Sequence, residues 1–126
     1  MDLDHLNPLT EKIIGCAFKM SNTLGPGFLE KVYENAMAHE LRKAKLDFRQ
    51  QYPINVLYDG TVVGEFFVDL LVNEQVIIEL KAVKNLDDAH LAQCLNYLKA
   101  TGLPLCLLIN FGTPRVQVKR VALTQR

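Results

Sequence analysis

Apolar residues recur at helical spacing from Leu9 through Ile13, Cys16 or Ala17 and Met20, so residues 9–23 read as an amphipathic helix that stops at Leu24-Gly25-Pro26-Gly27. A second helix is predicted from about Phe28 to Ala44, with Leu29, Val32, Ala36 and Leu41 apolar. The period then shortens to that of a strand. Phe48 to Leu57 reads as one strand, Tyr58-Asp59-Gly60 as a hairpin turn, and Thr61 to Val72 as a long second strand. Asn73-Glu74-Gln75 turns the chain again, and Val76 to Val83 follows as a third strand. Helical spacing returns from Leu86 to Thr101, with Asn85 or Asp87 as N-cap, Asp88 in the first turn and Gly102 past the C-terminus. Leu105 to Phe111 is an almost continuous apolar run, which marks a strand covered on both faces. After Gly112-Thr113-Pro114, Val116, Val118 and Val121 form a final strand, with Arg115, Gln117 and Lys119 on its other side. The order α-α-β-β-β-α-β-β predicts an α/β (α+β) fold in which a mixed sheet is flanked by helices.

No linker, repeat or low-complexity segment interrupts this pattern, so one domain spanning residues 1–126 is expected. With 49% hydrophobic and 22% charged residues the chain has the composition of a globular protein, which excludes disordered and fibrous classes. Its net charge is zero, which argues against attachment to nucleic acid by bulk charge. That zero is the sum of two opposed parts. All 14 acids lie in residues 1–88, whereas residues 89–126 carry Lys99, Arg115, Lys119, Arg120 and Arg126 and no acid.

Cys16, Cys94 and Cys106 are odd in number, widely spaced and set in apolar surroundings, so they read as buried reduced thiols rather than as a disulfide framework or a zinc site. The N-terminus, Met1-Asp2-Leu3-Asp4-His5, is acidic and leads into no apolar signal region; the expected location is the cytoplasm. The most apolar stretch, Leu103 to Phe111, falls far short of the ~20 residues that span a bilayer. No Gly-rich phosphate loop is present, which argues against nucleotide-driven or dinucleotide chemistry.

Asp69 interrupts one of the most apolar strands, and Glu79 and Lys81 share one face of the next. A carboxylate at such a position is costly unless it is paired or bound to a metal. If Asn73-Glu74-Gln75 is a three-residue loop, Val72 faces Val76 and Asp69 falls directly opposite Glu79, where like charges destabilise a sheet. Such a pair needs a cation, supplied by Lys81 or by a divalent metal. Oxygen ligands mounted on strands suit Mg²⁺ or Mn²⁺, and a metal-activated water beside Lys81 would be a nucleophile for phosphorus. Each element also has an ordinary structural account: Asp69 satisfied by Lys81 or a backbone amide, Glu30 complementing a helix dipole, and His90, Gln93 and Tyr97 forming a solvated face opposite Leu91, Leu95 and Leu98.

Taken in order, the residues carry a resemblance. Asp69 followed by Glu79-Leu80-Lys81, in a hairpin preceded by a helix bearing Glu30, resembles the PD-(D/E)XK nuclease superfamily. Gln93-x-x-x-Tyr97 is similar to the pattern of its RecB-like branches, and Gly27-x-x-Glu30-x-x-Tyr33 looks like the signature of the small bacterial GxxExxY proteins. The match runs from about residue 10 to residue 121. It departs at Val68, which stands where the superfamily name has proline.

The resemblance implies a restriction-endonuclease-like αβββαβ core, with an added N-terminal helix and C-terminal strand. It implies Asp69, Glu79 and the Leu80 carbonyl as ligands of Mg²⁺ or Mn²⁺, with Glu30 completing the site. Lys81 would act on the attacking water, and Gln93, Tyr97 and Tyr33 would support the site. Arg115 and Lys119 could meet nucleic-acid phosphates. The leading expectation is a metal-dependent nuclease acting on DNA, with RNA as a second polymer. The alternatives are a non-cleaving nucleic-acid-binding or protein-interaction module that keeps the fold, and hydrolysis of a small phosphorylated substrate. A homodimer is compatible with the size, because so small a nuclease alone contacts little of a duplex; no membrane partner is expected.

Overall fold

The computed structural model describes residues 2–123; Met1 of the acidic N-terminus and Arg126 of the basic tail lie outside the described residues. A short 3-10 turn at Asp4–Leu6 leads into α1 (Asn7–Leu24), where Pro8 occupies a first-turn position that needs no amide donor. Helix α1 buries Leu9, Ile13, Ala17 and Met20 along one side and ends at Gly25, whose φ of 69° is a conformation glycine adopts without steric cost. Helix α2 (Glu30–Lys43) begins later than the predicted Phe28, because Leu29 is still extended (φ −74°, ψ 158°). Arg42 and Lys43 in its last turn complement the negative end of the helix dipole.

Strands β1 (Phe48–Tyr58), β2 (Thr61–Val72) and β3 (Val76–Lys81) follow as a meander, then α3 (Asp88–Thr101), β4 (Leu105–Asn110) and β5 (Gln117–Val121). They form one five-stranded sheet in the order β1-β2-β3-β4-β5. Only the β3–β4 pairing is parallel, as the α3 crossover requires; the others are antiparallel. Asp59 and Gly60, with φ of 52° and 76°, make the two-residue β1–β2 turn whose twist suits a hairpin. Helices α1 and α2 cover one face of the sheet, in a core with Leu70, Ile78, Leu80, Leu107 and Ile109. Helix α3 covers the other with Leu71, Ile77, Cys106 and Leu108, so β4 is buried on both sides as its composition predicts. This is the expected mixed sheet flanked by helices.

Three further boundaries differ from those predicted, for identifiable reasons. Strand β3 stops at Lys81 rather than Val83, because a side chain replaces the ladder beyond it. Val83 N–H donates to Asn110 Oδ1 at 3.0 Å, and Asn110 Nδ2 donates to Val83 O at 2.9 Å. Helix α3 starts at Asp88 because Asp87 and His90 form a reciprocal capping box. Strand β5 starts at Gln117, which leaves Arg115 in the preceding loop.

The alternation of β2 reverses at Asp69. Leu70 and Val72 pack in the α1/α2 core, but Val68 packs in the α3 core. Opposite, Gln51 has φ 53° and drops out of the ladder between Gln50↔Leu70 and Tyr52↔Val68. The outer part of the hairpin therefore turns toward α3, where the Phe66 and Tyr97 rings lie 6.1 Å apart. No helix among the described residues is long and apolar enough to cross a membrane.

Candidate functional site

Strands β2 and β3 pair regularly from Val72↔Val76 to Leu70↔Ile78, as the three-residue turn predicts, and the ladder then stops one step short of Asp69 and Glu79. Side chains take over from the backbone there. Asp69 N–H donates to Glu79 Oε2 at 2.9 Å, and Leu80 N–H donates to Asp69 Oδ2 at 2.8 Å. Each carboxylate thus satisfies an amide that the interrupted ladder leaves open. One oxygen of each acid is used in this way. Asp69 Oδ1 meets only Gln51 Nε2, at 3.4 Å, and Glu79 Oε1 accepts no hydrogen bond among the described residues.

The electrostatics follow from this burial. Withdrawal from water pushes the Glu79 carboxyl up to about 8, and the charge of Asp69 adds to the rise. Burial also raises Asp69, helped by the charges of Glu34 and Glu30. The Tyr97 hydroxyl is pushed up to about 12, by burial first and then by the charges of Glu79 and Asp69. Tyr97 therefore sits within electrostatic reach of both acids. Lys81 lies on the Glu79 face and aligns with Asn110 on β4. Its charge opposes the rise of Glu79, and it makes no ion pair among the described residues.

Helix α2 brings in an acid that the sequence reading missed. Glu30 is exposed at the first position of the helix, whereas Glu34, one turn further on the same side, is only 4% exposed. Glu34 accepts from Lys31 Nζ at 3.1 and 3.2 Å, from Gln50 Nε2 at 2.7 Å and from Gln51 Nε2 at 2.7 Å. Because Gln51 also reaches Asp69, a Glu34–Gln51–Asp69 chain links α2 to the carboxylate pair. The spacing of Glu30 and Glu34 was the available signal. Nothing in the sequence marks Gln51 for a left-handed conformation.

The remaining predicted residues separate into groups. Tyr33 is fully buried in the α1/α2 core; its hydroxyl donates to Gly25 O at 2.6 Å and accepts from Phe28 N–H at 3.2 Å. Its ring stacks on Phe111 at 4.7 Å, which anchors the start of α2 to the end of β4. Gln93 and Tyr97 line a cleft between α3 and the β1–β2 hairpin. The alternative account of this side of α3 as a solvated face does not hold for Tyr97. Tyr97 is buried with Cys94 and Leu98, because the reversed hairpin covers that side, and His90 is engaged in the N-terminal cap. Lys119 stands in the row Glu79–Leu108–Lys119 across the sheet. Arg115 lies in the loop, and no hydrogen bond or ion pair among the described residues joins the two side chains. Cys94 and Cys106 are buried as expected, but Cys16 is half-exposed.

Among the described residues no three His, Cys, Asp or Glu side chains converge as a ready-made metal cage. The donor set that is present consists of hard carboxylate oxygens. Two acids with raised pKa values, each with one oxygen not held by a backbone amide, fit a cation that keeps most of its waters, which is the habit of Mg²⁺.

A mixed five-stranded sheet with helices on both faces and an acidic β-hairpin defines a restriction-endonuclease-like fold. Residues 7–121 match the family model described as the PD-(D/E)XK nuclease superfamily, and the chain belongs to that superfamily. Among solved structures it is similar to SSO0001, with a TM-score of 0.59 and 14% identity over 76% of this chain and 50% of that one. It is also similar to an alkaline exonuclease (LHK-Exo) from Laribacter hongkongensis, with a TM-score of 0.54 and 14% identity over 73% of this chain and 55% of that one. The chain thus spans about half the length of both. Comparison with curated proteins gave no match.

Proposed function

We propose that this chain is a metal-dependent phosphodiesterase of the GxxExxY group, a single domain acting in the cytoplasm on DNA, with RNA as the second polymer. Asp69, Glu79 and the Leu80 carbonyl would hold Mg²⁺ or Mn²⁺, and Glu30 would complete the site directly or through water. When bound, such an ion supplies Lewis acidity toward a phosphate and lowers the pKa of a water. Lys81, which makes no ion pair among the described residues, orients the attacking water and offsets negative charge gathering on the phosphate. Glu34 acts through Gln51 to hold Asp69. Gln93 and Tyr97 support the site from α3, and Arg115 and Lys119 offer phosphate contacts.

The observation that carries this reading is the exchange of hydrogen bonds at Asp69 and Glu79. As a purely structural device, a buried acid beside a half-buried one is a poor choice, because each raises the cost of ionising the other. A divalent cation reverses that cost. Calorimetric titration of the protein and of Asp69→Ala with Mg²⁺ and Mn²⁺ tests the site; equal affinity in the two proteins overturns it. Cleavage assays on single-stranded, duplex and branched DNA and on RNA then test the reaction.

A further inference from the structure

The cleft between α3 and the outer part of the β1–β2 hairpin has a volume of about 800 Å³, well above what packing defects leave. Phe66 and Tyr97 form an aromatic wall on one side. The primary amides of Asn55, Gln93 and Asn96 also line it, and among the described residues Lys99 is its sole charged lining residue. Phe66 is 48% exposed, a large aromatic surface left open to solvent beside that wall. Gln93 and Tyr97 both line this cleft, and Tyr97 also feels the charges of Glu79 and Asp69, which links the cleft to the carboxylate pair.

Each component matches one part of a nucleotide. Aromatic rings stack on any base, neutral amides match the donors and acceptors of base edges, and one lysine without a neighbouring acid suits a phosphate. A duplex cannot use such a cleft, because its bases stay stacked and present only their edges. We infer that the cleft is a subsite for unpaired nucleobases, so that the preferred polymer is single-stranded or locally unpaired nucleic acid. This rests on the phosphodiesterase reading above and names the form of substrate it takes.

Binding measured by fluorescence anisotropy in EDTA, where hydrolysis is silent, tests the inference. The probes are labelled oligo(dT), oligo(rU) and a hairpin duplex of equal length. Single strands are expected to bind tighter than the duplex by about fivefold or more, the effect of stacking at least one base. Phe66→Ala, which removes the ring, and Ala92→Trp, which fills the cleft, should each weaken single-strand binding by about fivefold or more and leave duplex binding unchanged. Asn96→Asp, nearly isosteric on an exposed helical position, should do the same through charge and keeps the test valid if a bulky substitution disturbs folding. The oligo(dT) and oligo(rU) arms show which sugar the site accepts. Equal binding of single strand and duplex, or unchanged single-strand binding in both Ala92→Trp and Asn96→Asp, overturns the inference.

Mg²⁺-dependent cleavage followed in parallel separates the two readings. If single strands bind through the cleft but the wild type and Asp69→Ala are equally inert, the subsite stands and the hydrolysis reading falls. If the wild type cleaves and Ala92→Trp binds and cleaves single strands as well as it does, hydrolysis stands and the subsite falls.

Discussion

Asp69 and Glu79 take over each other's backbone hydrogen bonding: the Asp69 amide donates to the Glu79 carboxylate, and the amide following Glu79 donates to the Asp69 carboxylate. The cost of holding both acids in this arrangement depends on pH. Glu79 has a folded pKa of about 8 against an ordinary 4.5, so the folded chain binds more protons than the unfolded one between those values. Stability associated with Glu79 is fully present below about pH 4.5 and is lost as pH rises through about 8, a total on the order of 5 kcal/mol. Urea midpoints of the metal-free protein should fall over this window and those of Glu79→Gln should fall much less. Equal slopes would remove Glu79 as the cause.

A divalent ion on this pair should displace the proton. Mg²⁺ binding near neutral pH is therefore expected to release protons and to tighten as pH rises toward 8. Calorimetry in buffers of different ionisation enthalpy counts the protons released. Asp69→Ala should lose about tenfold or more in metal affinity, in keeping with the loss of a ligand or of its supporting contacts.

Glu34 is the most heavily hydrogen-bonded acid on α2. Replacing it by alanine removes a charged acceptor, only 4% exposed, from the Gln50 and Gln51 amides, with an expected loss of about 1–3 kcal/mol in denaturant unfolding. Lys31→Ala removes only a largely exposed lysine from Glu34 and should cost under about 1 kcal/mol. A Glu34 loss no larger than that of Lys31 would show that the glutamine contacts contribute little.

Asn110 governs how the chain leaves β3 immediately after Lys81. Its side chain is fully buried and bonds Val83, Gly112 and Gln117, and a Cβ at Gly112 would collide with the Val83 backbone. Asn110→Ala should destabilise by about 2 kcal/mol or more and Gly112→Ala comparably, read as a lower thermal midpoint. If Lys81 acts in hydrolysis, activity should fall further than the folded fraction does.

Much of this molecule was legible in the residue pattern, because burial of one side of a helix or strand is a local signal. Periodicity located the helices and strands, and the length of the Asn73-Glu74-Gln75 turn set the β2–β3 register that brings Asp69 and Glu79 together. The order of motifs carried the superfamily, since residue types at those spacings imply a site without coordinates. The burial of Glu34 was half visible: its spacing from Glu30 shows a shared helix side, but not that Gln50 and Gln51 meet it.

What only the tertiary structure decided are the consequences of contacts between residues distant in sequence. The left-handed Gln51 and the reversal of β2 at Asp69 swing the hairpin over α3, which buries Tyr97 and creates the cleft. The end of β3 is set by an asparagine that bonds Val83 from 27 residues further on. The sequence by itself determined which elements form, which side of most of them is apolar, and which acids belong to the hairpin. It could not determine how the polar groups there are satisfied. A hydrogen bond needs two partners in space, and here one of them usually lies on another element.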